Sequence, residues 1–151
     1  MKDSLEKAND ELKRVDHLIY VSLKYTRTCD IFKSILERMI SSIEFMLDAL
    51  LINLQEQNKI EEIPQQPIAK SNIAKEHYDD EVIREMAGLL VRLRQINRAP
   101  FERAREFRRH VTMTVKLESE IIEINIDNIT EYYKKIKDYY AYVNKMFGEE
   151  E

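Results

Sequence analysis

Residues 31–57 carry apolar side chains around so much of a helical circumference that this one segment limits the folds open to the chain. A helix that is apolar over so wide an arc is buried centrally or pairs with a second chain. At a rise of about 1.5 Å per residue, its ~27 residues would span about 40 Å, the length of a dominant helix in a small bundle. One stripe at helical spacing is Phe32, Ile35, Met39, Ile43, Met46, Leu50 and Leu54, and a second set that broadens it is Leu36, Ile40, Leu47 and Leu51.

Three other segments repeat apolar residues three and four positions apart, which predicts three more helices. They cover 3–25, a stretch from Asp79 or Asp80 to about residue 97, and 129–147. We expect the last helix to begin with a capping box in which Asn128 is the N-cap and Glu131 its partner, and to end before Gly148. Residues 58–77 are polar, aperiodic and contain two prolines, so they predict a long loop.

The apolar period changes from helical spacing to strict alternation after Pro100. Residues 111–117 and 122–126 alternate apolar with polar side chains, which predicts a β-hairpin at about 109–126 with its turn at Glu118–Ser119–Glu120. Residues 101–107 are compatible with a short helix that has Pro100 at its start. The predicted fold is therefore mainly α, an antiparallel four-helix bundle with a small hairpin inserted before the last helix. It forms a single domain, 1–151, with an acidic tail at 149–151.

The composition excludes several functional classes. Two glycines in 151 residues are too few for a glycine-rich phosphate loop, a Rossmann fold or a turn-rich β-sandwich. A single cysteine, Cys29, excludes an internal disulfide and a cysteine-based zinc cluster. The N-terminus has no apolar signal core and no stretch approaches the ~20 apolar residues of a membrane span. We expect a cytoplasmic protein with no membrane association, no cofactor and no metal.

A run of arginines gives one part of this acidic chain a positive charge. Residues 92–110 hold seven arginines against two glutamates, a local charge of +5 in a chain of net charge −4. Residues 117–131 hold five acidic residues and no basic one. In one interpretation, these carboxylates neutralise the arginines within the fold or across a dimer. In the other, the arginines form an anion- or RNA-binding patch. Its expected members are Arg98, Arg103, Arg108 and Arg109, together with Arg105.

Arg105 and His110 form an R-x-x-x-x-H pair inside this run. A histidine can take a proton from a ribose 2′-hydroxyl, and a neighbouring arginine can stabilise the charged transition state. The pair is therefore a candidate for metal-independent RNA cleavage. The alternative is a surface histidine beside a basic patch.

The order of the predicted helices can be compared with a known family. Asp16–Leu51 and Ile129–Phe147 resemble the opening helical pair and the final helix of archaeal HEPN-like proteins, which are small four-helix bundles. Active members of that superfamily carry an arginine and a histidine separated by four to six residues, and Arg105 with His110, separated by four, is similar. The residue after the arginine, Glu106, is acidic here, which departs from the usual polar residue. Many HEPN-like proteins lack activity and serve as dimeric binding or regulatory modules.

The resemblance implies two functions. The preferred one is a non-catalytic binding or regulatory module that acts through protein or RNA contacts. The alternative is a metal-independent ribonuclease that uses Arg105 and His110, for example a toxin whose partner is a nucleotidyltransferase-type antitoxin. In either case we expect a homodimer, built on the widely apolar second helix or on the tyrosine-rich last helix.

Overall fold

The computed structural model describes residues 1–147 and is mainly helical, as predicted. Within those residues none of the helices has the length and apolar character needed to cross a bilayer. The predicted acidic tail at 149–151 and the stop at Gly148 lie outside the described residues. In chain order the elements are α1 (Lys2–His17), α2 (Cys29–Glu56), α3 (Pro67–His77), α4 (Glu81–Arg98), β1 (Phe101–Ala104), β2 (Thr112–Lys116), β3 (Ile121–Ile124) and α5 (Ile126–Phe147).

The first helix runs further than α1 itself. After His17 the chain continues as a π-helical segment, Leu18–Ser22, and a last α-helical turn, Leu23–Tyr25. The prediction of one helix over 3–25 is therefore confirmed, with a change of hydrogen-bond spacing near its end. Ile19 and Leu23 remain buried through the π-helical segment, so this part of the chain still packs on the core.

Helix α2 occupies the centre of the fold. It packs along α1 and also against α3, α4, α5 and β2. Both of its predicted apolar sets, from Phe32 to Leu54, are buried. The wide apolar arc is thus covered within one chain, which is the first of the two outcomes expected for such a helix. Association of two chains stays a prediction.

The long loop predicted at 58–77 is wrong over its second half, because Pro67–His77 forms α3. Proline is well accommodated at the first helical position, where its missing N–H is not needed. The spacing of large apolar residues does not indicate this helix, because its buried residues, Ser71 and Ala74, are small. As a result residues 1–147 have five helices, one more than the four of the predicted bundle.

The predicted hairpin is confirmed, and a third strand extends it. Strands β2 and β3 pair antiparallel with Met113 opposite Ile124, and β1 pairs antiparallel with β2 with Phe101 opposite Val115. The short helix predicted at 101–107 is wrong for this reason. Phe101 is the only large apolar residue of β1, so alternation cannot show in four residues. Pairing with β2 decides the conformation instead.

The cap of α5 lies three residues earlier than predicted. The helix begins at Ile126, and the two residues that exchange side-chain to backbone hydrogen bonds are Asn125 and Asn128, at 2.9 Å in both directions. The prediction of Asn128 as N-cap with Glu131 is therefore wrong. The same three-residue spacing occurs twice in succession, and the sequence pattern alone does not choose between the two registers.

Two buried serines mark places where helices approach closely. Ser42 Oγ on α2 donates to the carbonyl oxygen of Ala8 on α1 at 3.0 Å, and Ser71 Oγ on α3 donates to that of Ala87 on α4 at 3.0 Å. All four side chains are small and fully buried. A small side chain permits a close approach, and the hydroxyl satisfies its own hydrogen bond on the neighbouring helix.

Replacement of Ser42 should show how tightly α1 and α2 pack. We expect Ser42→Ala to lower the free energy of unfolding by about 1 kcal/mol through the lost hydrogen bond. Ser42→Leu should lower it by about 1–3 kcal/mol more, because a fully packed site has no room for the added volume. Urea denaturation measures both. The neighbouring half-buried Ser41 provides the control, since Ser41→Leu should cost less than Ser42→Leu. Equal stability of Ser42→Leu and the unchanged protein would contradict the close approach.

Candidate functional site

Two of the seven arginines in 92–110 are neutralised on α4. Arg92 donates two hydrogen bonds to Glu120, at 2.8 and 3.0 Å, and these bonds lower the pKa of the Glu120 carboxyl. Arg94 donates to Glu44 of α2 at 3.3 Å. The expected pairing with the acidic segment 117–131 is therefore present for Arg92.

Arg103, which we expected in the anion-binding patch, is also engaged. Its Nη2 donates to Asp30 at 2.9 Å, its Nη1 donates to Glu106 at 3.2 Å, and its guanidinium lies 5.2 Å from the centre of the Phe101 ring. The two carboxylates raise the pKa of Arg103 further above its ordinary value. These contacts attach β1 to the start of α2 and use donors that a ligand would need.

Arg98, Arg105, Arg108 and Arg109 are exposed, and their guanidinium groups make no hydrogen bond or ion pair with any residue from 1 to 147. Arg98 is the last residue of α4, and neither it nor Arg108 lines the cleft described next. The arginine run thus divides into paired and unpaired members, with Arg105 and Arg109 placed at one site.

A cleft of about 490 Å³ brings Arg105 and His110 together. It opens between the loop that joins β1 to β2, the segment that precedes α2, and the junction of β3 with α5. The R-x-x-x-x-H pair therefore shares one site although no helix spans it. The lining residues are Arg27, Arg105, Arg109, His110, Thr112, Glu123, Asn125, Ile126 and Asp127.

Arg27 is a member of this cleft that the sequence analysis missed. Its guanidinium makes no hydrogen bond or ion pair with the described residues, and its Nε is buried without an acceptor. A buried donor without a protein partner is uncommon in folded proteins, and this N–H is free to donate to a ligand oxygen or to a water molecule. No sequence signal marks Arg27, which is an isolated cation far from the arginine run.

The loop that carries Arg105 and Arg109 adopts an unusual backbone conformation. Arg105 has φ 56° and Phe107 has φ 67°, both in the left-handed region, without a glycine in the loop. Such residues cost of order 1 kcal/mol each and persist where surrounding contacts impose them. One such contact is the Phe107 N–H, which donates to the Arg27 carbonyl oxygen at 2.6 Å. This bond joins the loop to the segment before α2, so the backbone that carries Arg27 is held next to the loop that carries Arg105 and Arg109.

Glu106 is the second anchor of the loop. Its Oε2 accepts a hydrogen bond from the Cys29 backbone N–H at 2.9 Å, at the first turn of α2. The residue before the helix, Thr28, makes no side-chain cap, so Glu106 performs that role from 77 residues away. Its carboxylate therefore lies against α2 and is not among the groups that line the cleft. The acidic residue beside Arg105 thus leaves the cleft accessible to an anion.

The Cys29 thiol is affected by the Glu106 carboxylate, so its reactivity can be used to test the role of Glu106. It is fully buried, and its Sγ lies 3.4 Å from the Thr112 carbonyl oxygen of β2. Burial raises the pKa of the Cys29 thiol, and the Glu106 carboxylate raises it further. Both effects disfavour the thiolate, which is the reactive form.

The cleft contains acidic as well as cationic side chains. Glu123 and Asp127 also line it, yet no ion pair within 4.0 Å joins either carboxylate to Arg27, Arg105 or Arg109. The guanidinium donors are therefore not used up by internal pairing, and they exceed the carboxylates by one.

In the part of the chain that the structure describes, no three His, Cys, Asp or Glu side chains are grouped as metal ligands. Comparison of the chain with protein-family models, curated proteins and solved structures finds no match.

The Glu106 anchor predicts a change in thiol reactivity. Glu106→Ala should lower the free energy of unfolding by about 1 kcal/mol, the usual effect of a lost helix cap. It should also accelerate alkylation of Cys29 by iodoacetamide at pH 8, because it loosens the loop and removes a charge that raises the thiol pKa. Glu102→Ala is the control, since Glu102 is an exposed carboxylate of β1 that pairs with Lys116. Equal alkylation rates in all three proteins would exclude the capping role.

Proposed function

We propose that the protein is an RNA-binding module whose arginine cleft holds the phosphate backbone. The observation that carries this proposal is the convergence of Arg27, Arg105 and Arg109 on one cleft, none of them paired with a described residue. A guanidinium group presents a planar fork of donors that matches two phosphate oxygens, and it stays charged at any physiological pH. Local charge of this kind can attract a polyanion although the whole chain has a net charge of −4.

The proposed module is HEPN-like. In this proposal the four long helices, α1, α2, α4 and α5, constitute an antiparallel bundle, and the small sheet with its loop presents the cleft. A binding or regulatory role in the cytoplasm, as a homodimer, is consistent with the sequence resemblance. A nucleotidyltransferase-type protein would be a partner in the toxin–antitoxin version of the proposal.

Salt dependence tests the proposed backbone contact. If about three phosphates are neutralised, log affinity for single-stranded RNA should fall with log salt at a slope near −2, from ~0.7 per phosphate. Arg109→Glu should weaken binding and flatten the slope, because one contact is lost and a repulsive charge is added. Fluorescence anisotropy of a labelled oligonucleotide measures both quantities.

Lys59→Glu is the matched control for this charge reversal. Lys59 is exposed just beyond the far end of α2, about 40 Å from Cys29 at 1.5 Å per residue. It should leave both affinity and slope nearly unchanged. Absence of binding at physiological salt, with a lowered melting temperature for Arg109→Glu, would instead support an arginine whose only role is internal neutralisation.

A second candidate function is metal-independent RNA cleavage. The observation in its favour is that Arg105 and His110 line the same cleft. In such a reaction the His110 imidazole would accept the 2′-hydroxyl proton as the oxygen attacks the adjacent phosphorus. The bond from phosphorus to the 5′-oxygen would break, leaving a 2′,3′-cyclic phosphate, and the departing 5′-oxygen would take a proton from water to become a hydroxyl. Arg105 would stabilise the added negative charge.

We prefer the binding function because catalysis also requires a general base that is held in a fixed orientation. A general base is usually held by a third group that fixes its tautomer and orientation. No residue from 1 to 147 forms a hydrogen bond or ion pair with the His110 ring. Phosphate binding by Arg27, Arg105 and Arg109 needs no such support.

Substitution of the pair distinguishes the two functions. If the protein cleaves RNA in the presence of a chelator, His110→Ala and Arg105→Ala should each lower the rate by about 100-fold or more, the scale of a lost acid–base group. His77→Ala is the control, because His77 lies at the end of α3 and its ring contacts the Ile73 carbonyl oxygen. We expect no cleavage by the unchanged protein, with binding retained in His110→Ala. Cleavage that both variants abolish would make the protein an enzyme.

A further inference from the structure

Phe107 has an exposed ring and a left-handed backbone, and neither feature contributes to the stability of the fold. Its side chain is 75% exposed, although burying a phenylalanine is worth about 1.5–3 kcal/mol. Its backbone is in the left-handed region, which a bulky residue without a local reason avoids. The residue thus combines an unburied ring with a strained backbone, and strained backbone conformations cluster at functional positions.

The position of Phe107 relates it directly to the arginine cleft. It lies between Arg105 and Arg109 in the loop, and its N–H donates to the Arg27 carbonyl oxygen. Its ring is not among the groups that line the cleft, but its backbone belongs to the loop that carries two of the lining arginines. A second exposed ring, Tyr25 at 83%, precedes Arg27 by two residues, within about 7 Å along the chain.

We infer that the Phe107 ring stacks on an unpaired base of single-stranded RNA whose phosphates occupy the arginine cleft. This inference rests on the proposed function, because the arginines would hold the backbone beside the ring. An exposed aromatic beside a cationic groove is the arrangement by which proteins bind single strands without reading their sequence. A duplex keeps its bases stacked inside and offers the ring no free face.

The charge around Phe107 favours RNA over a second copy of the chain. Arg105, Arg108 and Arg109 are all exposed and unpaired with described residues. In a two-fold interface centred on Phe107, each loop would face its own copy and bring like charges together. A polyanion meets the same loop with opposite charge.

Phe107→Asn removes the ring and keeps the loop, because asparagine tolerates the left-handed backbone. We expect its affinity for a labelled oligoadenylate to fall by about 5- to 100-fold, the range for loss of one stacked base. The salt slope should stay the same, since no charge is lost. Phe107→Tyr should bind within about 3-fold of the unchanged protein, because the ring remains.

Two controls separate stacking from general damage. An abasic strand of equal length keeps the phosphates, so the unchanged protein and Phe107→Asn should bind it equally and weakly. Ile121→Asn removes another exposed apolar side chain, 67% accessible on β3, and should leave oligoadenylate affinity unchanged. A 2-aminopurine in the strand should be quenched by the unchanged protein and by Phe107→Tyr only.

The outcomes distinguish this inference from the proposed function. If the unchanged protein binds neither strand, the proposed function fails and the inference fails with it. If it binds with the expected salt slope but Phe107→Asn has no effect, or duplex binds equally well, the inference alone is overturned. A dimer in light scattering that Phe107→Asn converts to the 18.1 kDa monomer, with oligoadenylate affinity unchanged, would assign Phe107 to self-association and overturn it.

Discussion

The hydrogen bond from the Cys29 N–H to Glu106 is the contact on which the candidate site depends. It places a carboxylate from the loop at the first turn of the central helix, where the unsatisfied N–H groups and the helix dipole favour a negative charge. The same carboxylate accepts from Arg103, which in turn binds Asp30. One acidic side chain thus completes α2 and positions the loop that presents Arg105, Phe107 and Arg109.

The pairing of charges explains how an acidic protein can present a cationic cleft. Arg92, Arg94 and Arg103 are neutralised by carboxylates of other elements, which stabilises the arrangement of α4 and β1. The exposed pairs of Arg92 and Arg103 contribute little free energy each, so their main effect is on geometry. Arg105 and Arg109 remain available because no carboxylate of residues 1–147 pairs with them. The distribution of charge, more than its total, determines what the surface can bind.

The sequence predicts those parts of the fold where large apolar residues repeat. The stripe from Phe32 to Leu54 and the alternation from Val111 to Ile124 predict α2 and the hairpin because burial itself produces both patterns. Helix α3 and strand β1 are missed because Ser71 and Ala74 are small and Phe101 stands alone. For the site, the spacing of Arg105 and His110 indicates two members of the cleft, whereas Arg27 and the role of Glu106 depend on contacts between residues more than 70 positions apart. Such contacts leave no local pattern.

The separation of these residues along the chain also has a consequence for synthesis. Arg27 emerges from the ribosome first, the loop with Arg105 and Arg109 follows roughly 80 residues later, and Asn125 and Asp127 come later still. The loop cannot be fixed until it meets the segment before α2, and long-range closure of this kind is slow compared with helix formation. A nascent chain therefore carries scattered arginines but no assembled cleft. An RNA ligand would meet a competent site only after Asp127 has been synthesised and the loop has docked.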